Sequence, residues 1–194
     1  MIKEQKGKLF IISGPTGAGK TTVINEVIRR VGNPAKIYKT VTYTTRPPRD
    51  KEQNSSDYNF LSLDKFRQLE KEGFFLETNE YNKHWYGSPA EIVGEIEQGK
   101  SFVIVVDRDG AKTAHRMVPD AVMIWLTAPN IEAIEYRMKK RGDSIRQMEA
   151  RLEIAEEEMK NEHKHGYFKY HLVNDNLNSA ILELISIVED ELKA

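Results

Sequence analysis

The stretch LFIISGPTGAGKT, residues 9–21, decides the fold. Leu9–Ile12 is a short apolar run that ends at glycines, which predicts a buried strand. Residues 19–31 follow with apolar side chains at helical spacing, which predicts a helix. Between them, Gly14–Thr21 matches G-x-x-x-x-G-K-[ST] in the strand–loop–helix context that this pattern requires.

Gly14–Thr21, called the phosphate loop below, predicts a site for a nucleoside triphosphate with Mg²⁺. Glycines let successive backbone N–H groups turn toward one anion, and the helix N-terminus adds its dipole. Lys20 can reach the β- and γ-phosphates, and the Thr21 hydroxyl can ligate Mg²⁺. The predicted triphosphate-binding residues are Gly14, Pro15, Thr16, Gly17, Ala18, Gly19, Lys20, Thr21 and Thr22. The loop does not indicate which molecule receives the phosphoryl group.

Outward from this stretch, the chain alternates strands with helices. Apolar runs predict strands at 102–106, at 122–126 and near 171–173, and helical patterns cover 130–141, 144–164 and 177–192. Ser88-Pro89-Ala90-Glu91 predicts a capping box, with Ser88 as the N-cap of another helix. The alternation predicts an α/β fold of the P-loop NTPase type, a three-layer α/β/α core around a parallel sheet.

Two stretches interrupt the alternation. We predict a single domain with its core at about 1–36, 91–136 and 169–194. Residues 37–90, called the insert, carry mixed short elements, and residues 137–168, called the lid, are helical and highly charged. The acidic run 153–158 within the lid is interpreted as a solvated helical face.

Composition excludes several classes of protein. With 29 Lys and Arg against 30 Asp and Glu, the net charge of −1 disfavours nucleic acid as a partner. The absence of cysteine excludes disulfides, thiolate zinc sites, iron–sulfur clusters and a cysteine nucleophile. The longest apolar runs are too short to span a bilayer, and the first residues lack a signal peptide's apolar stretch. We therefore expect a cytoplasmic protein without membrane contact.

The insert carries the chemistry of an acceptor site. Its segment YTTRPPR, residues 43–49, places Arg46 and Arg49 three residues apart on a chain stiffened by prolines. Guanidinium forks match phosphate oxygens bidentately, so this pair predicts a second phosphate site. The segments DYNF (57–60), FLE (75–77) and WYGSP (85–89) follow.

Together with the phosphate loop, these pieces resemble the guanylate kinase family. YRMKKRG (136–142), ARL (150–152) with an acidic helix behind it, and VND (173–175) complete the resemblance, which covers residues 9 to 192. The resemblance implies ATP + GMP (or dGMP) → ADP + GDP with Mg²⁺, a GMP-binding insert, a mobile lid, and a monomer or homodimer.

The resemblance also implies residue roles. Arg46, Arg49 and Tyr58 would hold the GMP phosphate, and Glu77, Thr42, Ser88, Asp107 and Tyr86 would form the guanine pocket. Arg137, Arg141 and Arg151 would reach the transferring phosphoryl group from the lid, as catalytic residues with Lys20 and Arg46. Asn174 would contact the ATP base. Mg²⁺ would bind Thr21, with Asp107 or Asp109 as candidates to hold its waters.

The chemistry of guanine fits Glu77 independently of the resemblance. Guanine offers two adjacent donors, N1–H and the 2-amino group, which a carboxylate accepts. Adenine offers an acceptor at N1 and would leave a buried carboxylate unpaired, at a large cost. The acceptor phosphate is already anionic, so catalysis needs positioning and charge neutralisation rather than a strong base.

The sequence departs from the family pattern in places. Val105 stands where the family usually carries an acidic residue near Mg²⁺, and Asp109 stands where it usually has Gln. Lys51 and Ser55 replace two glycines of the acceptor loop, which must differ there if those positions need positive φ.

Two other function classes stay open from the residues alone. One is a P-loop kinase for another nucleoside monophosphate or a sugar phosphate. The other is a non-catalytic binding module on the same fold, which an intact phosphate loop disfavours.

Overall fold

The computed structural model describes residues 6–32, 34–48, 52–56, 58–142, 144–162 and 166–194. Two predicted positions, Arg49 and Lys51, lie outside these residues, as does Asp57 of the DYNF segment.

Within the described residues, the chain forms nine strands and seven helices. The strands are β1 (Leu9–Ser13), β2 (Ile37–Lys39), β3 (Tyr43–Thr44), β4 (Asn59–Phe60), β5 (Phe75–Tyr81), β6 (His84–Pro89), β7 (Ser101–Val105), β8 (Val122–Thr127) and β9 (Tyr170–Val173). The helices are α1 (Lys20–Val31), α2 (Leu63–Lys71), α3 (Glu91–Glu97), α4 (Arg108–Met117), α5 (Ile131–Arg141), α6 (Ile145–Glu162) and α7 (Leu177–Lys193).

Five strands form a parallel sheet in the order β2-β7-β1-β8-β9. Because side chains alternate along a strand, β1 supplies both faces of this sheet. Phe10 and Ile12 pack with α1 and α7, whereas Leu9 and Ile11 pack with α3 and α4. Helices thus cover both faces, which confirms the predicted three-layer α/β/α core.

The insert forms a second sheet in the order β4-β3-β6-β5. The predicted capping box at Ser88 is wrong, because Ser88 and Pro89 belong to β6. Ser88 pairs with Glu77 of β5, and α3 begins at Glu91 after Ala90 without a side-chain cap. The pairing of β5 with β6 therefore determines the conformation of Ser88, although the local sequence also matches a helix-capping pattern.

The observed pairing moves one boundary of the insert. Ile37–Lys39 is an edge strand of the five-stranded sheet, where it pairs with β7. In our proposed division of the chain, the insert therefore begins after Lys39 rather than at residue 37.

The end of α5 and the whole of α6 lie in the segment predicted as the lid, and the two helices pack on each other through Met138, Met148 and Ala155. The Asn130 side chain caps α5 by accepting from the N–H of Ala133, and Gly142 ends the helix with φ of 85°. Among the described helices, we find none with the length and apolar character needed to cross a membrane.

Candidate active site

The phosphate loop follows β1 at the carboxyl edge of the parallel sheet, where α/β proteins bind ligands. Gly14 has a φ of 145°, and a Cβ there would lie 1.9 Å from the carbonyl oxygen of Leu126. Gly19 has a φ of 92°, and a Cβ there would lie 2.5 Å from Nδ2 of Asn174. Neither position accommodates a side chain, so this path of the loop requires its glycines.

Lys20 turns back over the loop that precedes it. Its ammonium donates to the carbonyl oxygens of Gly14 and Pro15, the second at 3.0 Å. Burial lowers the pKa of Lys20 to about 8, while the carboxylates of Glu158 and Asp107 raise it. A phosphate chain beside this ammonium would favour its charged form in the same way.

Arg137 of α5 supports the loop from behind. Its guanidinium donates to the carbonyl oxygen of Ala18 at 2.9 Å and to that of Asn174 at 2.5 Å. The Asn174 side chain donates to the same Ala18 oxygen at 2.8 Å. Arg137 and Asn174 therefore link the lid and β9 to the phosphate loop in the nucleotide-free protein.

Helix α6 reaches the front of the loop. Arg151 donates from Nη2 to the hydroxyl of Thr16. Glu158, two turns further along the helix, also lines the cleft, and its Oε2 is buried. The interpretation of 153–158 as an entirely solvated face is therefore wrong at Glu158.

Arg46 projects from the insert toward the loop. Its guanidinium donates to Oε1 of Glu52 at 2.9 Å and lies over the Tyr58 ring, 5.3 Å from the centroid. Tyr58 in turn meets the edge of Tyr86, with 6.1 Å between ring centroids. Nearby Ser55 adopts a φ of 64°, so a serine keeps the left-handed backbone that a glycine would favour.

Glu77 of β5 is the most enclosed carboxylate of the cleft, with 3% of the residue exposed. Its Oε1 accepts from the backbone N–H of Ser88 at 3.0 Å. Burial raises the pKa of Glu77 to about 7, and the Asp107 charge adds to the shift, whereas Ser88 opposes it. Thr42 and Ser88 are also buried in this insert.

Asp107 follows β7 and begins α4. Its Oδ1 caps the helix by accepting from the N–H of Gly110 at 2.8 Å. Its Oδ2 accepts from Nδ2 of Asn79 at 2.6 Å. Asp109 instead accepts from Lys112 at 3.2 Å and has 73% of its side chain exposed, so the structure does not bring it to the site.

One cleft of about 400 Å³ joins the two predicted sites. Predicted residues that line it are Gly14, Thr16, Gly17, Gly19, Lys20, Thr21, Thr22, Arg46, Tyr58, Glu77, Tyr86, Asp107, Arg137, Arg141 and Arg151. Predicted residues that do not line it are Pro15, Ala18, Thr42, Ser88, Asp109 and Asn174. Asn174 lies behind the loop as a support, and its contact with an ATP base stays a prediction.

Sequence reasoning missed several cleft residues, among them Asn79, Tyr81 and Glu158. Strand alternation could have found the first two, because residues 77, 79 and 81 of a strand share one face. Helical spacing could have found Glu158, which lies seven residues after Arg151.

A divalent cation would find its donors at the loop end of the cleft. The Thr21 hydroxyl and the Asp107 carboxylate both line it. Among the residues with described positions, no three His, Asp or Glu side chains converge as a ready-made metal cage. This sparse oxygen set suits Mg²⁺, which keeps several waters and binds through substrate phosphates.

Comparisons with known proteins agree with one another. The family model described as guanylate kinase matches residues 6–191. A guanylate kinase of Rubrobacter xylanophilus is 39% identical over 186 residues, which covers 95% of this chain and 94% of the relative. One of Thermus thermophilus is 35% identical over 192 residues, which covers 98% and 83%. A crystal structure of guanylate kinase from Anaplasma phagocytophilum has the same fold, with a TM-score of 0.81 at 24% identity, over 98% of this chain and 89% of that one.

Proposed function

The chain belongs to the guanylate kinase family, and we propose that its cleft transfers the γ-phosphoryl group of ATP to GMP or dGMP. One observation carries the assignment of roles: the phosphate loop with Lys20 and the buried carboxylate of Glu77 line the same cleft. A triphosphate at the loop and a guanine at Glu77 would thus bind in one cleft, which Arg46 also lines as a partner for the acceptor phosphate.

The ATP end uses the loop and the lid. The backbone N–H groups of the phosphate loop, to which Pro15 contributes none, and the Lys20 ammonium would hold the β- and γ-phosphates. Arg141 and Arg151 line the cleft from the lid and would neutralise charge on the transferring phosphoryl group. Arg137, held by Ala18 and Asn174, would join them while keeping the loop in shape.

The acceptor phosphate would bind at Arg46 and Tyr58. Arg46 now pairs with Glu52, and a dianionic phosphate would take over that pairing with a bidentate contact. The predicted contribution of Arg49 falls outside the described residues. Tyr86, in edge contact with Tyr58, would form a wall of the nucleotide pocket.

The base would be read by Glu77. One carboxylate oxygen is already oriented by the Ser88 N–H, which leaves acceptor capacity for guanine N1–H and the 2-amino group. Thr42 and Ser88 are proposed for the O6 edge and Asp107 for the guanine side. An adenine at this position would present its N1 acceptor to the buried carboxylate, which would then lack the donors that guanine supplies.

Mg²⁺ supplies charge neutralisation of the triphosphate when it is bound. Thr21 would ligate it directly, and Asp107 would hold its waters while capping α4. Closure of the insert and lid over the substrates would exclude water, which otherwise receives the phosphoryl group.

Product analysis tests this proposal. Purified protein incubated with Mg-ATP and GMP should form GDP and ADP in equal amounts, measured by anion-exchange chromatography. ADP formation without GDP would contradict it, because the phosphoryl group would then have gone to water. A cytoplasmic location, a monomeric or homodimeric state and the absence of nucleic-acid binding stay predictions.

A further inference from the structure

Glu158 places a carboxyl group in the cleft, and one oxygen of this group lacks a hydrogen-bond donor within the part of the chain that the structure describes. Its side chain lines the cleft together with Lys20 and Arg151. Its Oε2 is buried and makes no hydrogen bond to any described residue. A buried oxygen left in this way costs about 1–3 kcal/mol, so the position needs a physical reason.

The surroundings of Glu158 define where the carboxyl group lies. Burial raises its pKa to about 7, Lys20 and the backbone N–H of Thr16 lower it, and Asp107 raises it. The pKa of Tyr81 is raised by burial and then by the Glu158 charge. Thr16, Lys20, Tyr81 and Asp107, which these interactions involve, all line the same cleft as Glu158.

A triphosphate bound at the phosphate loop would bring its terminal phosphoryl group close to this carboxyl group, because Glu158 lines the same cleft as Thr16 and Lys20. The N–H groups of a phosphate loop and its lysine contact the β- and γ-phosphates. The acceptor end of the cleft, with Arg46 and Glu77, lies on the side of β5. A carboxylate offers two acceptor oxygens and a negative charge, as a phosphoryl group does, and two such anions repel at contact distance.

The contact of Arg151, on the same helix, with the phosphate loop supports a position of Glu158 beside that loop. Arg151 and Glu158 lie on one face of α6, with fully buried Ala155 between them. Arg151 donates to the Thr16 hydroxyl, while Glu158 interacts with the Thr16 backbone N–H. Helix α6 thus rests on Thr16 of the phosphate loop through a cation and an anion.

We propose that Glu158 is an internal substitute for the terminal phosphoryl group, which a nucleoside triphosphate displaces and a diphosphate does not. The inference rests on the proposed function, because it takes the phosphate loop as the ATP site. When the triphosphate enters, Glu158 leaves the Thr16 N–H and Arg151 contacts the phosphoryl group. While the Glu158 carboxylate occupies the phosphoryl position, a triphosphate cannot bind there. The apparent Kd for triphosphate is therefore the intrinsic Kd divided by the fraction of molecules in which the position is open.

Glu158→Gln tests the proposal with little change of shape, and Glu157→Gln is the matched control, since residue 157 is exposed on the same helix. Isothermal titration calorimetry would measure the Kd of ADP and of the non-hydrolysable β,γ-imido analogue of ATP, both with Mg²⁺. We expect E158Q to tighten binding of the analogue by about fivefold or more and of ADP by less than about twofold. E157Q should change neither constant.

Two results would overturn the proposal. Unchanged or weaker binding of the analogue by E158Q would make the carboxyl group a ligand of the bound state instead. Equal tightening for ADP and the analogue would place the carboxyl group at a different phosphate. Neither result bears on transfer to GMP, because the titration contains no acceptor, so the proposed function fails or stands separately.

Discussion

Asn79 of β5 donates a hydrogen bond to Oδ2 of Asp107 at 2.6 Å and thereby joins the insert to the first turn of α4. Oδ1 of the same carboxylate caps α4 through the N–H of Gly110. Asp107 is thus held at both oxygens, in an orientation that the insert and the core determine together. A base or a metal-bound water that uses Asp107 finds it already oriented.

Replacing Asn79 tests the value of that contact. Asn79→Ala removes a hydrogen bond to a charged group, and we expect a loss of about 1–2 kcal/mol in the free energy of unfolding. The KM for GMP should rise more than the KM for ATP, because Asp107 lies beside the guanine reader and loses its orientation. Urea unfolding and steady-state kinetics measure both effects.

Gln98→Ala, at an exposed amide directly after α3, is the control for that substitution. Equal increases of both KM values in Asn79→Ala would show that the contact serves general stability and not the acceptor site.

Glu77→Gln tests the base reader. Glutamine presents one donor to a guanine edge that itself donates, so kcat/KM for GMP should fall about 100-fold. IMP lacks the 2-amino group and should be affected less than GMP. Kinetics with both acceptors measure the difference, and Glu80→Gln, exposed on the same strand, is the control. A variant with unchanged base preference would remove Glu77 from the guanine pocket.

The pKa of Glu77 predicts a pH dependence of GMP binding. Burial raises this pKa to about 7, so the carboxyl group gains a proton as the pH falls from 8 to 6. Guanine needs the ionised form, and the KM for GMP should therefore rise as the pH falls through 7. The phosphate of GMP also titrates, near pH 6.

The Glu77→Gln variant separates the two titrations, because it retains only the one that belongs to the phosphate. If the pH profile of KM were the same in this variant and in the original protein, the Glu77 titration would not be what the profile reports.

Arg137→Lys tests the support behind the phosphate loop. A lysine ammonium cannot bond the carbonyl oxygens of Ala18 and Asn174 in the planar fork that arginine provides. We expect a loss of about 1–2 kcal/mol in stability together with a lower kcat. Thermal unfolding and kinetics measure these, with exposed Arg146→Lys of α6 as the control. A fall in kcat with unchanged stability would assign Arg137 to the phosphoryl group alone.

The core was predictable because its strands are short apolar runs and its helices follow clear 3.6-residue patterns. Phe10 and Leu9 on β1 already imply helices on both faces of the sheet. The phosphate loop was predictable because each residue type has a mechanical reason to be there. What local patterns could not supply was the pairing of β5 with β6, which places Ser88 in a strand instead of at a helix cap.

Local sequence patterns also did not predict the roles of Glu158 and Asn79 in the site. Glu158 sits in a run of charges that a solvated helix would also carry, and its neighbours Lys20 and Thr16 are distant from it in sequence. Asn79 likewise acquires its role from Asp107, which is 28 residues away in sequence. Such contacts join elements that meet only in the folded chain.

The central claim is that one cleft joins a phosphate loop to a guanine reader, and acceptor selectivity tests it most directly. ADP formation from Mg-ATP would be measured with GMP, dGMP, AMP, CMP, UMP, IMP and a ribose phosphate as acceptors. We predict strong turnover with GMP and dGMP, weaker turnover with IMP, and none above background with the others. Turnover with AMP or a ribose phosphate equal to that with GMP would contradict the account.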